Sequence, residues 1–174
     1  VAFAIREALQ PGCERIEIAG SVRRKRPEVG DIEIVCVAKV INDLLGQPCG
    51  TVLDSVLGKL VDDGRLKALK GGPRFKQFMI VKARCSLDLF MVRPETWGVQ
   101  FALRTGPAEF SKLLVMDRSR GGMLRNGWGV ADGLLWNEQG ELVPTLEEVD
   151  FFRANGVKWI EPEQRMVKIV TRST

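Results

Sequence analysis

Apolar positions along the chain follow two rhythms, and the switches between them predict its elements. Phe3, Ala4, Ile5, Ala8 and Leu9 have helical spacing, and Pro11-Gly12 stops that run. Arg15 to Ala19 alternates Ile16 and Ile18 with Glu17, predicting a strand that enters a turn at Gly20-Ser21. A second strand is predicted over about Asp31 to Ala38. Thr51 caps a predicted helix whose buried face carries Val52, Leu53, Val56, Leu57, Leu60 and Val61, and Gly64 ends it. Three strand-like runs follow: Arg65 to Lys70, Phe75 to Lys82 and Cys85 to Val92. Gly71-Gly72-Pro73 turns the first into the second.

Pro94 marks a lobe boundary. Beyond it Trp97 to Leu103 is predicted helical. Gly106-Pro107 with Glu109 then starts a helix carrying Phe110, Leu113, Leu114 and Met116 up to Gly121-Gly122. Short strands between Gly127 and Trp136 form a meander with a turn at Asn137 to Gly140. Thr145 and Glu148 predict a capping box for a last helix that Asn155-Gly156 terminates. The four tryptophans, Trp97, Trp128, Trp136 and Trp159, are read as packing residues in preference to base-stacking platforms.

Within this pattern one stretch breaks the usual economy of a strand. In Asp31-Ile32-Glu33-Ile34 the period of two puts both carboxylates on one face and both isoleucines on the other. In Cys85 to Val92, Leu87, Leu89 and Met91 point one way and Ser86, Asp88 and Phe90 the other. Asp88 thus fits as a partner of Asp31 and Glu33 if their strands are neighbours. Just upstream stand the Gly20-Ser21 turn and the basic run Arg23, Arg24, Lys25, Arg26. Two or three carboxylates on adjacent strands can hold a pair of magnesium ions that clamp an in-line phosphoryl displacement. Backbone N–H groups and a hydroxyl at the turn suit terminal phosphates, and Arg23 or Arg24 can neutralise their charge. The bland alternative is that Asp31 and Glu33 are solvated edge-strand positions, Asp88 a structural ion-pair partner, and the arginines a solvated loop.

Composition narrows the chemistry. The 174 residues include no histidine, which excludes a Cys/His zinc site and the usual serine, cysteine and histidine hydrolase mechanisms. Cys13, Cys36, Cys49 and Cys85 form no CxxC pair and are read as free thiols, buried at Cys36 and Cys85, favouring a reducing, intracellular compartment. No apolar run approaches a membrane span and no signal peptide is visible. Net charge is +4; residues 1–93 carry 16 basic and 11 acidic groups, residues 94–174 carry 10 and 11. The excess suits a polyanionic partner.

These residues resemble the nucleotidyltransferase signature of the DNA polymerase beta superfamily, and specifically the polymerase X family. Arg104-Thr105-Gly106 before a helix, Gly127-Trp128-Gly129 before a hairpin, the acidic capped helix, and Trp159 to Arg165 are similar to that family's carboxy-terminal subdomain in the same order. The resemblance implies an α+β fold: a mixed-sheet nucleotidyltransferase palm over residues 1–93 with helices on one face, and a small α/β thumb or fingers subdomain over 94–174. It implies a monomeric, template-directed DNA polymerase, active in gap filling and repair, working on primer/template DNA and a nucleoside triphosphate with two Mg2+ ions, or Mn2+. Asp31 and Glu33 would bind both metals, and Asp88 would bind the catalytic one and help deprotonate the primer 3′-hydroxyl. Ser21 and Arg24 would contact the β- and γ-phosphates beside Gly20, with Gly30 close to the nucleotide. Thr105-Gly106 would lie beside the incoming sugar and base. Arg23, Arg104, Lys112 and Arg125 are candidates for contacts to DNA.

The sequence departs from the family in three places. Glu33 stands where its polymerases usually have Asp. Leu103 and Arg104 replace the aromatic pair before Thr-Gly, which predicts readier acceptance of ribonucleotides. Nothing matches the amino-terminal lyase domain or the hairpin DNA-binding motifs, so no lyase activity and a weak grip on DNA are expected. The rival functions are a nucleotidyltransferase acting on RNA, a protein or a small molecule, and a non-catalytic nucleic-acid-binding module on the same scaffold.

Overall fold

The computed structural model describes residues 1–166, and the chain is α+β with a mixed sheet. It divides into two compact units: residues 1–22 with 28–92, and residues 23–27 with those from Arg93 onward. No helix among the described residues is long and apolar enough to cross a membrane.

The first unit begins with α1 (Ala2–Leu9), which buries Ala2, Ile5 and Leu9. A 3-10 turn through Pro11 leads into β1 (Cys13–Ile18). Next come a single helical turn, α2 (Gly20–Arg23), and β2 (Asp31–Ala38). A ribbon of β3 (Val40–Asn42) and β4 (Pro48–Thr51) follows, then α3 (Val52–Asp62). The unit ends with β5 (Leu66–Lys70), β6 (Phe75–Ile80) and β7 (Cys85–Met91). Thr51 caps α3 as its sequence predicts, its hydroxyl accepting from the Asp54 N–H at 3.1 Å. Such a cap stabilises by about 1 kcal/mol.

The main sheet runs β1-β2-β7-β6-β5. Only β2 and β7 are parallel. Its apolar face carries Ile32, Ile34, Leu87, Leu89, Phe78, Ile80 and Leu66, which pack with Ile5 and Leu9 of α1 and Leu53, Leu57 and Leu60 of α3. Both helices therefore cover one face. Gly12 lets the chain pass α3 at close range, since a Cβ there would sit 2.6 Å from the Leu53 Cα.

The second unit holds α4 (Trp97–Thr105), α5 (Ala108–Leu114), a meander of β8 (Gly129–Ala131), β9 (Leu134–Trp136) and β10 (Leu142–Val143), and α6 (Glu148–Ala154). Its core joins Val99 and Ala102 of α4 to Phe110, Leu114, Leu135, Phe151 and Phe152. Trp97 is fully buried, and Trp128 and Trp159 pack against this core as half-buried residues.

The predicted Gly20-Ser21 turn is a single turn of helix, and the β3–β4 ribbon occupies a stretch for which the sequence predicts no element. Two expectations are corrected. The last helix is capped by Glu147 and Asp150, not by Thr145 and Glu148. Glu148 is drawn inward as a buried charge, which removes it from capping. Finally, all four cysteines are free, but Cys85, at the start of β7, is half-buried, and Cys49 is exposed on the β3–β4 ribbon, whose residues are nearly all exposed.

Candidate functional site

The face of the main sheet opposite the helices carries the acids. On parallel β2 and β7, Asp31 is opposite Ser86, and Glu33 is opposite Asp88. Residues directly opposite one another in a sheet share a face, so Asp31, Glu33 and Asp88 all project from the same side. All three are half-buried, while Ile32, Ile34, Leu87 and Leu89 behind them are buried. The alternation of acid and aliphatic that marks both strands in the sequence is thus a division between two faces of one sheet.

Each acid has a defined neighbourhood. Asp88 Oδ1 accepts from Gln77 Nε2 at 2.8 Å and from the Ser86 hydroxyl at 3.3 Å. Gln77 lies on β6 directly across from Asp88, so three strands contribute to this row. Glu33 turns toward the Gly20 backbone: a Cβ on Gly20 would fall 1.8 Å from its Oε2. Gly20 also has φ +58°, so two independent constraints require glycine there. The backbone reinforces the approach, with the Ala19 N–H donating to the Glu33 carbonyl at 2.8 Å. Asp31 is felt by Cys85, whose thiol pKa is raised by partial burial and then by the Asp31 charge. Among the described residues, no three His, Cys, Asp or Glu side chains stand together as a cation cage.

Ser21 follows Gly20, and its Oγ is buried with no hydrogen-bond partner among the described residues. A buried hydroxyl without a partner is costly and uncommon. Gly30 is exposed, and a Cβ there would meet nothing within 4 Å.

The remaining sequence-predicted residues belong to the second unit. Arg23 is committed to Glu148, its Nη1 and Nη2 donating to Oε1 and Oε2 at 2.7 and 2.8 Å. The same Nη1 donates to Thr105 Oγ1 at 2.5 Å, and the guanidinium lies 3.8 Å from the Phe101 ring centroid. Arg24 Nη1 donates to the Thr105 carbonyl at 2.6 Å. Thr105 is fully buried and its hydroxyl donates to the Phe101 carbonyl. Gly106 closes α4, where a Cβ would press within 2.8 Å of the Phe110 ring. Arg104, Lys112 and Arg125 are exposed; the Arg125 guanidinium lies 5.1 Å from the Trp128 ring centroid.

Glu148 is the centre of this second group. Besides Arg23 it accepts from Arg165 Nη1 at 2.7 Å and Trp159 Nε1 at 2.9 Å. Burial raises its pKa, but the hydrogen bonds and charges of Arg23 and Arg165 outweigh that and bring it down to about 2. Arg23 therefore acts as a fastening residue of this unit.

Sequence reasoning missed Gln77 and Glu148. Gln77 resembles any polar residue on an alternating strand, and only the β6–β7 register reveals its partner. Glu148 sits in an acidic run where capping and burial look alike. No family model matches the chain, and no curated protein matches it.

Proposed function

We propose that this chain is a template-directed DNA polymerase of the X type, adding nucleotides to a primer 3′-end by phosphoryl transfer, as in gap filling and repair. The observation that carries this reading is the pairing of Glu33 with Asp88 on parallel strands, with Asp31 two residues away on the same face. The donor set suits magnesium: three carboxylates, oxygen atoms only, with the substrate's phosphates completing the coordination. Ser21 Oγ, buried and unpartnered, is the hydroxyl such a phosphate chain would satisfy. When bound, two ions would stabilise the charge on the attacking and leaving oxygens of an in-line displacement.

The protein's own groups divide the remaining work. Asp31 and Glu33 would hold both ions. Asp88 would hold one and accept the proton of the primer 3′-hydroxyl at a carboxylate oxygen. Gln77 keeps one Asp88 oxygen oriented by its 2.8 Å hydrogen bond. Gly20 leaves room for the Glu33 carboxylate where any side chain would collide with it. Positioning and charge stabilisation of this kind supply most of phosphoryl-transfer catalysis.

Extension of gapped and recessed primers, with each nucleotide separately and with or without magnesium, tests the proposal. Magnesium-dependent incorporation by the wild type, lost in Asp88→Ala, is expected. Absence of incorporation, or equal incorporation by Asp88→Ala, overturns it. Transfer from labelled triphosphates to RNA, protein or small acceptors in place of primers would support the rival transferase instead.

A further inference from the structure

The ribbon of β3 and β4 presents its apolar residues to solvent. Every residue from Lys39 to Gly50 is exposed, and among them Val40 is 54%, Ile41 39%, Leu44 105% and Leu45 85% exposed. Scattered exposed aliphatic residues are ordinary, but four within six positions of one projecting element are not. A two-stranded hairpin standing alone is marginally stable in water, so this element gains from being covered. Its turn is nevertheless well formed. The Asp43 N–H donates to the Gln47 carbonyl at 2.8 Å, and the Gly46 N–H donates to the Asp43 carbonyl at 3.0 Å. Asp43 Oδ1 accepts from the N–H groups of Leu45 and Gln47 at 2.8 and 2.9 Å, and Gly46 takes φ +78°. The turn thus satisfies its own polar groups and holds Leu44 and Leu45 outward.

Charge decides what can cover it. No Lys or Arg occurs from Val40 to Gly58, so the ribbon offers nothing to a nucleic acid or an anionic membrane. The two acids of this stretch are already engaged: Asp43 in the turn, and Asp54 with Thr51 and with Lys76 at 3.2 Å. A surface that meets its own copy doubles any charge it carries, and like charges brought together repel. A ribbon with no uncompensated charge satisfies that condition. The four aliphatic residues expose roughly 500 Å² per copy, so two copies meeting there bury about 1,000 Å², the threshold of a specific interface. The chain enters the ribbon from Ala38, at the far end of β2 from Asp31. Glu33 is five residues, or about 16 Å, from Ala38, so contact at the ribbon leaves the acidic end of the sheet uncovered.

We propose that the β3–β4 ribbon is a self-association surface. It packs on the same ribbon of a second copy about a two-fold axis and gives a dimer, where the resemblance implies a monomer. An isologous contact uses one patch twice and closes after two copies. Leu44 and Leu45 at the tip are its anchors, and Val40 and Ile41 extend the apolar surface along β3. Pro48 opens β4 without an N–H, which blunts that edge against open-ended strand addition. An interface of this size predicts a dissociation constant in about the micromolar range. The dimer is independent of the reaction that the acids perform.

The test is sedimentation velocity of the full chain under reducing conditions, from about 1 to about 100 μM. Leu44→Asp/Leu45→Asp is compared with Leu146→Asp, which alters an exposed leucine of the second unit. Leu44→Ser/Leu45→Ser repeats the comparison without added charge. The wild type and Leu146→Asp are expected to pass from monomer to dimer over this range. Both ribbon variants are expected to raise the dimer dissociation constant roughly tenfold or more while keeping the wild-type fold by circular dichroism, since neither leucine belongs to the core. Cys49, the exposed cysteine of the ribbon, gives a second readout. A short bis-maleimide should capture a covalent dimer of the wild type, but not of Cys49→Ser or of either ribbon variant at the same concentration. A chain that stays monomeric throughout overturns the inference, as does a dimer that survives both ribbon substitutions or is lost equally in Leu146→Asp. A monomer that floats with phosphatidylcholine vesicles through Leu44 and Leu45 also overturns it and assigns the ribbon to a lipid surface.

Discussion

Gln77 Nε2 donates to Asp88 Oδ1 at 2.8 Å, across an antiparallel pair in which the two residues are directly opposite. The amide leaves the second carboxylate oxygen outside that bond. A hydrogen bond to a charged group contributes about 1.5–3 kcal/mol, so Gln77→Leu is expected to slow nucleotide insertion by roughly 10- to 100-fold. The loss should fall on kcat, with KM for the nucleotide little changed and more magnesium needed for half-maximal rate. Steady-state insertion kinetics over a magnesium series check this, and an unchanged kcat counts against it.

Gly20→Ala meets two penalties at once. A non-glycine residue at φ +58° costs about 1–2 kcal/mol, and the new Cβ would collide with the Glu33 carboxylate. The melting temperature should therefore fall by several degrees. Activity should fall far more than stability does, because the displaced group is one of the three acids. Thermal melts paired with insertion assays separate these effects.

Glu148 predicts an acid limit for the second unit. Its pKa of about 2 lies below the ordinary 4.5. A depressed carboxylate contributes stability that is complete above the unfolded value and is lost as pH falls through the folded one. The contribution, on the order of 3 kcal/mol, should accordingly disappear between about pH 4.5 and pH 2. Glu148→Gln should flatten that part of the stability curve. The Ala variant, which leaves the buried Arg165 and the half-buried Arg23 without their carboxylate, should lose about 3–5 kcal/mol at neutral pH. Urea melts at several pH values decide both points.

Leu103 and Arg104 stand where the resembled family has two aromatic residues. Ribonucleotides are expected to be inserted more readily than by such relatives. Single-nucleotide insertion with paired deoxy and ribo substrates measures it, and a large deoxy preference rejects it.

Strands with strict alternation were the easiest part of this chain to read. Ile32 and Ile34 against Asp31 and Glu33, and Leu87 and Leu89 against Asp88, state their faces residue by residue. Thr51 and Asn155 marked helix ends because local hydrogen bonding alone determines them. What stayed hidden depends on partners distant in sequence. The Gln77–Asp88 bond needs the β6–β7 register. Arg23 looked like one more cation in a basic loop because its partner lies 125 residues away. Burial of a charge is legible only once that partner is known.

Arg23 to Pro27 belongs with the later unit, although the residues on either side of it belong with the earlier one. Dissection at the Val92–Arg93 junction would thus yield a carboxy-terminal piece lacking a guanidinium that its own interior acid requires. Anyone expressing that half alone would have to graft the short basic segment back, or add it as a peptide, before judging whether it folds.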